Sequence, residues 1–368
     1  MADLLNARTI RLLSSSRNST IGKNSQKEIS IGSFLFLFII NLTTRHSNYF
    51  QCHVKNRIFA RLFQNIIGMF EKNTAQRPFS IIIPTWNNLE FLKICIRSIR
   101  QNSMAGHQII VHVNEGTDGT LDWVKSQNLD YTYSERNIGV CLACNAMRRK
   151  VKTDYIFYLN DDMYLLPGWD SALNRELDKL PDDRFFLSGT MIQPHNYLDV
   201  GITANYGDSI DSFDEERLLR EYMSFKMTDW RGATWPPNLI HRDMWDLIGG
   251  YSVEFSPGMY SDPDLTAKLY LAGVRYFKGL SDCRVYHFET KSTSRVLKND
   301  GHTQFLFKWG FPNSRLRGNY TGLGLPFDGS SFVPKKAKHV SRLKLLFTLL
   351  RGKRVGCPSF DNDSIRIE

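Results

Sequence analysis

The sequence predicts an α/β protein whose parallel sheet is covered by helices on both faces, with basic extensions at the N- and C-termini. From residue 79 to residue 159, short apolar runs alternate with segments in which apolar residues recur at helical spacing. The 368 residues are enough to bury one large core or two smaller ones. Acidic residues concentrate in the middle of the chain, and both ends are basic. These observations indicate a central domain that binds ligands at the carboxyl edge of its sheet.

The alternation predicts individual elements in order. Short apolar runs predict strands at 79–83, 108–113, 131–133, 155–159, 184–191 and 283–286. Helical spacing predicts helices at 88–100, 120–125, 137–149, 169–179, 242–248 and 262–272. Asp262 is expected at the N-cap of the last helix, with Pro263 in its first turn. The polar stretch 193–229 is expected to be a long irregular loop, of the kind that serves as a lid or binding loop.

Charge divides the chain into three predicted parts. Residues 1–77 contain 11 Lys/Arg and 3 Asp/Glu, residues 78–290 contain 21 and 29, and residues 291–368 contain 15 and 5. We therefore expect a catalytic or binding domain over 78–290 between two basic extensions. Basic extensions suit an anionic membrane surface or nucleic acid, and they also simply keep a protein soluble. Because no nucleic-acid recognition motif is present, nucleic acid is not an expected partner.

Each extension contains one apolar segment. Residues 29–44 are uncharged, but their strongly apolar part is shorter than the roughly 20 residues that span a bilayer. This segment reads as an interfacial anchor or a packed segment, or it precedes an alternative start at Met69. Residues 340–350 have apolar side chains at helical spacing among Lys and Arg. They predict a basic amphipathic helix that either lies on an anionic membrane surface or packs on the central domain.

The six cysteines do not indicate a disulfide framework. Cys141 and Cys144 form a CxxC pair, but no second CxxC or His pair follows at zinc-finger spacing. They lie in a predicted helix rich in small residues, where buried thiols are the more economical interpretation. We therefore expect a reducing, cytoplasmic location, either soluble or peripheral at the cytoplasmic face of the membrane.

Polar loops follow three of the predicted parallel strands. They are 84–87, 114–119 and 160–162, and all three fall at the carboxyl edge of the sheet. Asp161 and Asp162 come directly after the apolar run 155–159. Two carboxylates there suit Mg²⁺ or Mn²⁺ that in turn binds phosphate oxygens, because both are hard oxygen-binding cations. The alternative is a solvated Asn-Asp-Asp turn.

The ordered motifs resemble the family 2 glycosyltransferases of the GT-A fold over about residues 79–288. In chain order they are SIIIPTWNN at 80–88, NEGTDGT at 114–120, ERNIG at 135–139, LNDD at 159–162, PGW at 167–169, GGY at 249–251, SDPDL at 261–265 and His287. The resemblance implies a mixed, mostly parallel sheet. It also implies inverting transfer of a sugar from a nucleotide-sugar donor, with Mg²⁺ or Mn²⁺, to a glycan or lipid-linked acceptor, as in cell-surface polysaccharide synthesis.

The resemblance assigns a role to each motif residue. Asp262 would be the general base, which an inverting single displacement requires. Asp162 and His287 would bind the metal, and Asp161 would contact the ribose. The other donor-binding residues would be Pro84, Thr85, Trp86, Asn114, Arg136, Asn137 and Trp235.

Alternatives and departures accompany these roles. Trp86 also fits a core aromatic, Asp262 also fits a plain helix cap, and Asp264 is the second candidate for the base. Asn114 stands where the family usually has an Asp that bonds the base, and Ser261 replaces an acidic residue that often precedes the catalytic Asp. The competing functions are a nucleotidyltransferase of similar fold and a non-catalytic nucleotide- or sugar-binding relative.

Overall fold

The computed structural model describes residues 76–195, 200–232, 236–290, 297–330 and 332–334. A ten-stranded mixed sheet lies at its centre. In chain order the strands are β1 (Ser80–Trp86), β2 (Gln108–Asn114), β3 (Asp130–Ser134), β4 (Tyr155–Tyr158), β5 (Met163–Leu165), β6 (Phe185–Gln193), β7 (Ile202–Thr203), β8 (Trp230–Arg231), β9 (Asn238–His241) and β10 (Tyr276–His287). Their order across the sheet is β3-β2-β1-β4-β9-β6-β10-β5, with β7 on β6 and β8 on β10.

Helices cover both faces of this sheet. They are α1 (Leu89–Asn102), α2 (Thr120–Ser126), α3 (Gly139–Arg148), α4 (Trp169–Leu177), α5 (Glu215–Glu221), α6 (Arg242–Ile248), α7 (Ser261–Leu271), α8 (Gly301–Trp309) and α9 (Asn313–Arg315), the last continuing into a π-helical turn. The mixed, mostly parallel α/β architecture predicted from the sequence is confirmed.

The first half of the sheet is parallel. β1 pairs with β2 along its whole length, from Ser80 opposite Gln108 to Trp86 opposite Asn114. β2 pairs in parallel with β3, and β1 with β4. Parallel pairing places the carboxyl ends of these strands, and the loops that follow them, at one edge of the sheet.

The second half of the sheet contains strands that the sequence pattern does not reveal. β9 lies antiparallel between β4 and β6, while β5 and β8 pair antiparallel with β10. The predicted strand 283–286 was too short, because β10 begins at Tyr276 and continues past a register shift between Leu280 and Arg284. That irregularity interrupts the alternation on which strand prediction depends.

Side chains of the strands pack into three apolar clusters, two of which lie on opposite faces of β1. Ile81 and Ile83 of β1 face α1 and α4, where Trp169 is fully buried. Ile82 faces the opposite core, which α3, α6, α7 and α8 cover. Cys141 and Cys144 are both buried in this second core, as predicted for the CxxC pair. The two layers of helices therefore hold the sheet edge in place from both faces.

Two predictions about local structure were wrong. The stretch 193–229 is not irregular throughout, because it contains β7, α5 and a short 3₁₀ turn at Tyr222–Ser224. Asp262 is not the N-cap of its helix, because α7 begins at Ser261 and the preceding residue, Tyr260, has a φ of 68°. Asp262 is the second residue of the helix, so capping does not explain its presence.

Several predictions concern residues outside the described ranges. The uncharged segment 29–44 and Met69 are among them, and so are the amphipathic pattern 340–350 and Trp235. The described part of the C-terminal extension, residues 297–330, includes α8, which packs on the second core through Phe305. Within the described ranges, no helix is both long enough and apolar enough to cross a membrane.

Candidate functional site

Hydrogen bonds join the loops that follow the parallel strands. The Thr85 hydroxyl at the end of β1 donates to Oδ2 of Asp161 over 2.7 Å. The Asn114 amide at the end of β2 donates to the Thr85 carbonyl, and its Oδ1 accepts from the Ile138 amide at 2.9 Å. Asn114 is 3% exposed, so its side chain is used inside the protein. Asn114, which stands where the family usually contacts the nucleotide base, and Asp161, predicted to contact the ribose, are thus joined through Thr85 in one hydrogen-bond network.

Glu115 makes a second connection between the same loops. Its carboxylate accepts from the Asn87 amide at 3.2 Å and from the backbone N–H of Asn137 at 3.3 Å. It therefore links the loops after β1, β2 and β3. Glu115 has a φ of 61°, a conformation that is uncommon outside glycine and asparagine. Asn137 in turn accepts from the Gly139 amide at the start of α3.

Asp162 and His287 lie side by side. The Nε2 atom of His287 is 3.4 Å from Oδ2 of Asp162. The same oxygen accepts hydrogen bonds from the backbone amide and the hydroxyl of Thr290, at 3.0 and 2.8 Å. Nδ1 of His287 lies 3.0 Å from Oε1 of Gln193. The carboxyl ends of β4, β6 and β10 therefore converge on one carboxylate–imidazole pair.

Asp162 and His287 shift each other's pKa. Burial alone would raise the pKa of Asp162, but the charge and hydrogen bond of His287, with Thr290, outweigh burial and lower it. Burial would lower the pKa of His287, but the charge of Asp162 and its hydrogen bond raise it instead. Asp162 is therefore an anion at neutral pH.

Asp162 and His287 are side chains of kinds that can bind a divalent cation. Within the described ranges, no group of three or more His, Cys, Asp or Glu side chains is placed to hold a metal ion. The protein offers two adjacent ligands, Asp162 and His287, and a nucleotide diphosphate would supply further oxygens. The Oε1 atom of Gln193 accepts from Nδ1 of His287 and leaves Nε2 directed at Asp162, an arrangement that orients the ring in metal-binding histidines.

Asp262 lies on α7 and receives one hydrogen bond at its side chain from a tyrosine. The Tyr251 hydroxyl donates to its Oδ1 atom over 2.9 Å. Burial raises the pKa of Asp262 to about 6, and the Tyr251 bond opposes that rise. A carboxylate with a pKa close to neutrality is suited to accept a proton from a hydroxyl. Asp262 is partly buried rather than sealed, so a reacting group can reach it.

Asp264 has a different environment. It is fully buried, and its oxygens accept from the Trp309 indole at 2.9 Å and from the Ser252 hydroxyl. The Lys308 ammonium also lies 2.8 Å from it. These contacts fix α8 against α7 and occupy both oxygens of Asp264.

The donor side and the Asp262 side are joined directly. The Val140 amide on α3 donates to the Pro257 carbonyl at 2.9 Å, and the Ser256 hydroxyl donates to the Ile138 carbonyl at 3.1 Å. Gly139 makes this approach possible, because an added Cβ would lie 2.5 Å from Oγ of Ser256. The loop that carries Asn137 therefore packs on the loop that leads into α7.

The remaining predicted site residues occupy the same edge or lie outside the description. Pro84 and Trp86 are partly buried at the end of β1, and Arg136 is exposed in the loop after β3. Trp235 lies outside the described residues. The sequence analysis assigned no role to four supporting residues: Glu115 and Tyr251, which lie within motifs, and Gln193 and Thr290, which do not. The positive φ of Glu115 and the distant partners of the others become visible only in the folded chain.

In a mostly parallel α/β sheet, ligands bind at the carboxyl edge, and this edge carries acidic residues and a histidine. Residues 80–234 match the family described as glycosyl transferase family 2, which confirms the resemblance drawn from the motifs. No curated protein matches the chain.

Similar solved structures include fragments of S. aureus TarS. TarS 1–349 is 17% identical, covers 57% of this chain and is itself covered over 60%, with a TM-score of 0.44. TarS 1–349 in complex with UDP-GlcNAc is 17% identical, with 65% of each chain covered and a TM-score of 0.45. The complex with UDP has 15% identity, coverage of 57% and 60%, and a TM-score of 0.42. The chain thus spans about 60% of TarS 1–349.

Proposed function

We propose that this protein is an inverting glycosyltransferase that moves a sugar from a nucleotide-sugar donor to a hydroxyl acceptor. One observation carries the proposal. Asp161, Asp162 and His287 meet at a single sheet edge, where Thr85 holds Asp161 and His287 lies beside Asp162. The family match supports the class of reaction.

The donor would lie across the loops after β1, β2 and β3. Trp86 offers an indole face on which a nucleotide base can stack. Asp161, whose orientation is fixed by the Thr85 hydroxyl, can accept a hydrogen bond from a ribose hydroxyl. Because Asn114 is buried and bonds to Thr85 and Ile138, it shapes this loop through the backbone. The partly buried Pro84 lies in the same strand, and Arg136 adds a positive charge at the rim of the cleft.

Asp162 and His287 are the residues that would hold Mg²⁺ or Mn²⁺. When bound, such a cation stabilises the negative charge that develops on the leaving nucleoside diphosphate. The chain's own contribution is to orient both ligands, because Thr290 fixes the Asp162 carboxylate and Gln193 fixes the His287 ring.

Asp262 would remove the proton from the acceptor hydroxyl. The acceptor oxygen forms a bond to the anomeric carbon from the face opposite the diphosphate, and the bond between that carbon and the phosphate oxygen breaks. The acceptor proton passes to the Asp262 carboxylate, and the nucleoside diphosphate leaves with the bonding electron pair. Above pH about 6 this carboxylate is ionised and ready to accept a proton.

The proposal also includes the kind of acceptor and the place in the cell where the protein acts. A glycan or lipid-linked acceptor in cell-surface polysaccharide synthesis fits the family. The basic composition of residues 1–77 and 291–368 supports peripheral attachment at an anionic cytoplasmic membrane face.

Thermal unfolding with candidate ligands tests donor binding. We would measure Tm with UDP, GDP, CDP and UDP-GlcNAc, in Mn²⁺ and in EDTA. A ligand at about a hundred times its Kd should raise Tm by roughly 5–10 °C, since it binds only the folded state. EDTA and Asp162→Ala should each abolish the shift. Asp246→Ala, which removes a surface carboxylate paired with Arg148, should not. The absence of any shift would contradict the donor site.

Transfer itself separates an enzyme from a binding relative. Asp262→Asn should reduce release of nucleoside diphosphate from the donor by about 10²-fold or more, because a general base contributes that much. It should keep the Mn²⁺-dependent Tm shift. Asp246→Asn is the matched control and should retain full activity. Nucleotide binding without turnover in the unmodified protein would favour the non-catalytic alternative.

A further inference from the structure

Tyr251 stands directly behind the proposed base. Its hydroxyl is 2.9 Å from Oδ1 of Asp262, and its side chain is 1% exposed. Within the part of the chain that the structure describes, no hydrogen bond reaches the other carboxylate oxygen, Oδ2. The two oxygens of Asp262 are therefore inequivalent.

The position of the Tyr251 ring is fixed on several sides. Its backbone amide donates to Oδ1 of Asn145 at 2.8 Å, and its carbonyl accepts from Nδ2 of the same residue at 2.7 Å. The rings of Trp245 and Tyr158 pack edge-on against it, with centroids 5.6 and 5.8 Å away. Gly250 permits the close approach, because an added Cβ would lie within 3 Å of Trp245. The phenol is therefore preorganised, not recruited by the ligand.

We propose that Tyr251 is a positioning residue that holds Oδ1 of Asp262 and leaves Oδ2 as the atom that accepts the acceptor's proton. The inference deepens the proposed function and rests on it. With Oδ1 held by the phenol, the carboxylate cannot rotate freely, and its proton-accepting oxygen stays directed at one position. Such alignment is what a single displacement requires of its base.

Tyr251 also affects the pKa of Asp262. The titratable groups that face the carboxylate are Tyr158 on β4, Cys141 and Cys144 on α3, and Tyr251 itself. Burial raises the pKa of each of them, so all are neutral at working pH. Among the described residues, Tyr251 is the one group that opposes the rise in the pKa of Asp262.

The experiment compares Tyr251→Phe with a matched control. Tyr164→Phe is suitable, because Tyr164 is equally buried and its hydroxyl donates to a carboxylate, Glu215, in a different cluster. The pH dependence of kcat and kcat/KM would be measured for both variants and the unmodified protein. In parallel, the Asp262 carboxyl would be titrated by ¹³C NMR, with Asp262→Asn used to assign the signal.

Loss of the hydroxyl should move the acid limb of the pH profile upward by about one pH unit, since one hydrogen bond to a charged group stabilises it by about that much. Activity should fall about tenfold below pH 6 and recover to within a few-fold above pH 8. Tyr164→Phe should leave the profile in place. Equal loss at every pH, or no change at any pH, would overturn the proposal.

Two further measurements apply if Tyr251→Phe does not fold or if the unmodified protein shows no transfer. If Tyr251→Phe does not fold, site-specific 3-fluorotyrosine at 251 keeps the ring and makes the hydroxyl a stronger donor, so the acid limb should move to lower pH. If the unmodified protein shows no transfer, the proposed function fails. The carboxyl titration then still reports whether Tyr251 lowers the pKa of Asp262, and an unshifted titration in Tyr251→Phe would refute that contact.

Discussion

The Asp262 carboxyl has a pKa raised to about 6 because it is buried, with the Tyr251 hydrogen bond opposing the rise. The folded state therefore holds this proton between about pH 4 and pH 6, where the unfolded chain has released it. Stability contributed by the neutral form is present at low pH and is lost as the pH rises through about 6. At neutral pH the ionised base destabilises the fold that positions it.

Replacing the Asp262 carboxylate should show how much its ionised form lowers the free energy of unfolding. Asp262→Asn keeps the acceptor atom for Tyr251 and removes the buried charge, so it should stabilise the protein by about 1–3 kcal/mol at pH 8. The gain should shrink as the pH falls towards 4. Urea unfolding across this pH range measures it, and a gain that is the same at pH 4 and pH 8 would contradict the pKa.

Glu115 is the second residue whose role is local and testable. Glu115→Ala removes the hydrogen bonds that join Asn87 and the Asn137 amide, so the three donor loops should lose their common support. We expect nucleotide Kd to rise roughly tenfold, the equivalent of one charge-assisted hydrogen bond. Calorimetry with the nucleotide that gives the Tm shift provides the measurement. Glu135→Ala, at an exposed position nearby, should leave Kd unchanged.

At the scale of elements, α8 supports α7 through buried polar contacts. Lys308 pairs with both Asp264 and Glu254, and the neighbouring Trp309 indole donates to Asp264. Asp264 is two residues from Asp262, so this contact fixes the start of the helix that carries the proposed base. The C-terminal extension, which the sequence analysis defined by its basic composition, therefore contains a helix that supports the candidate site.

Breaking that contact should lower stability measurably. Lys308→Met leaves the Asp264 carboxylate buried without its cation, and we expect the free energy of unfolding to fall by about 1–3 kcal/mol. The matched change Lys93→Met, in an exposed pair with Glu90, should cost well under 1 kcal/mol. Denaturant unfolding of both variants gives the comparison. Equal losses would mean that α8 is not fixed through Lys308.

At the scale of the whole molecule, periodicity revealed the parallel half of the sheet and missed the antiparallel strands. β1, β2, β3 and β4 alternate regularly with helical segments, so their order could be predicted. β5, β8 and β9 are two to four residues long, and neither their pairing nor the irregularity in β10 leaves a periodic signal. Short strands acquire their conformation from their neighbours.

In the candidate site, too, some residues could be predicted from the sequence and others could not. Asp161, Asp162 and His287 could be predicted because motifs mark the ends of strands that share an edge. Gln193 and Thr290 could not, because their roles depend on how β6 and β10 are aligned in the folded sheet. The role of Asn114 at the nucleotide base stays a prediction, and its bonds to Thr85 and Ile138 could not be predicted because they depend on how the loops pack.

The contact between α8 and Asp264 also bears on the order in which the chain can assemble during synthesis. The family match ends at residue 234, but Asp262, His287 and Lys308 all follow it. As the chain leaves the ribosome, β1 to β4 can pair early, while the proposed base and the helix that supports it emerge later. A nascent chain halted before residue 300 would contain most of the donor loops and lack the helix that steadies the base. The proposed transfer would then require that residues beyond 300 have left the ribosome.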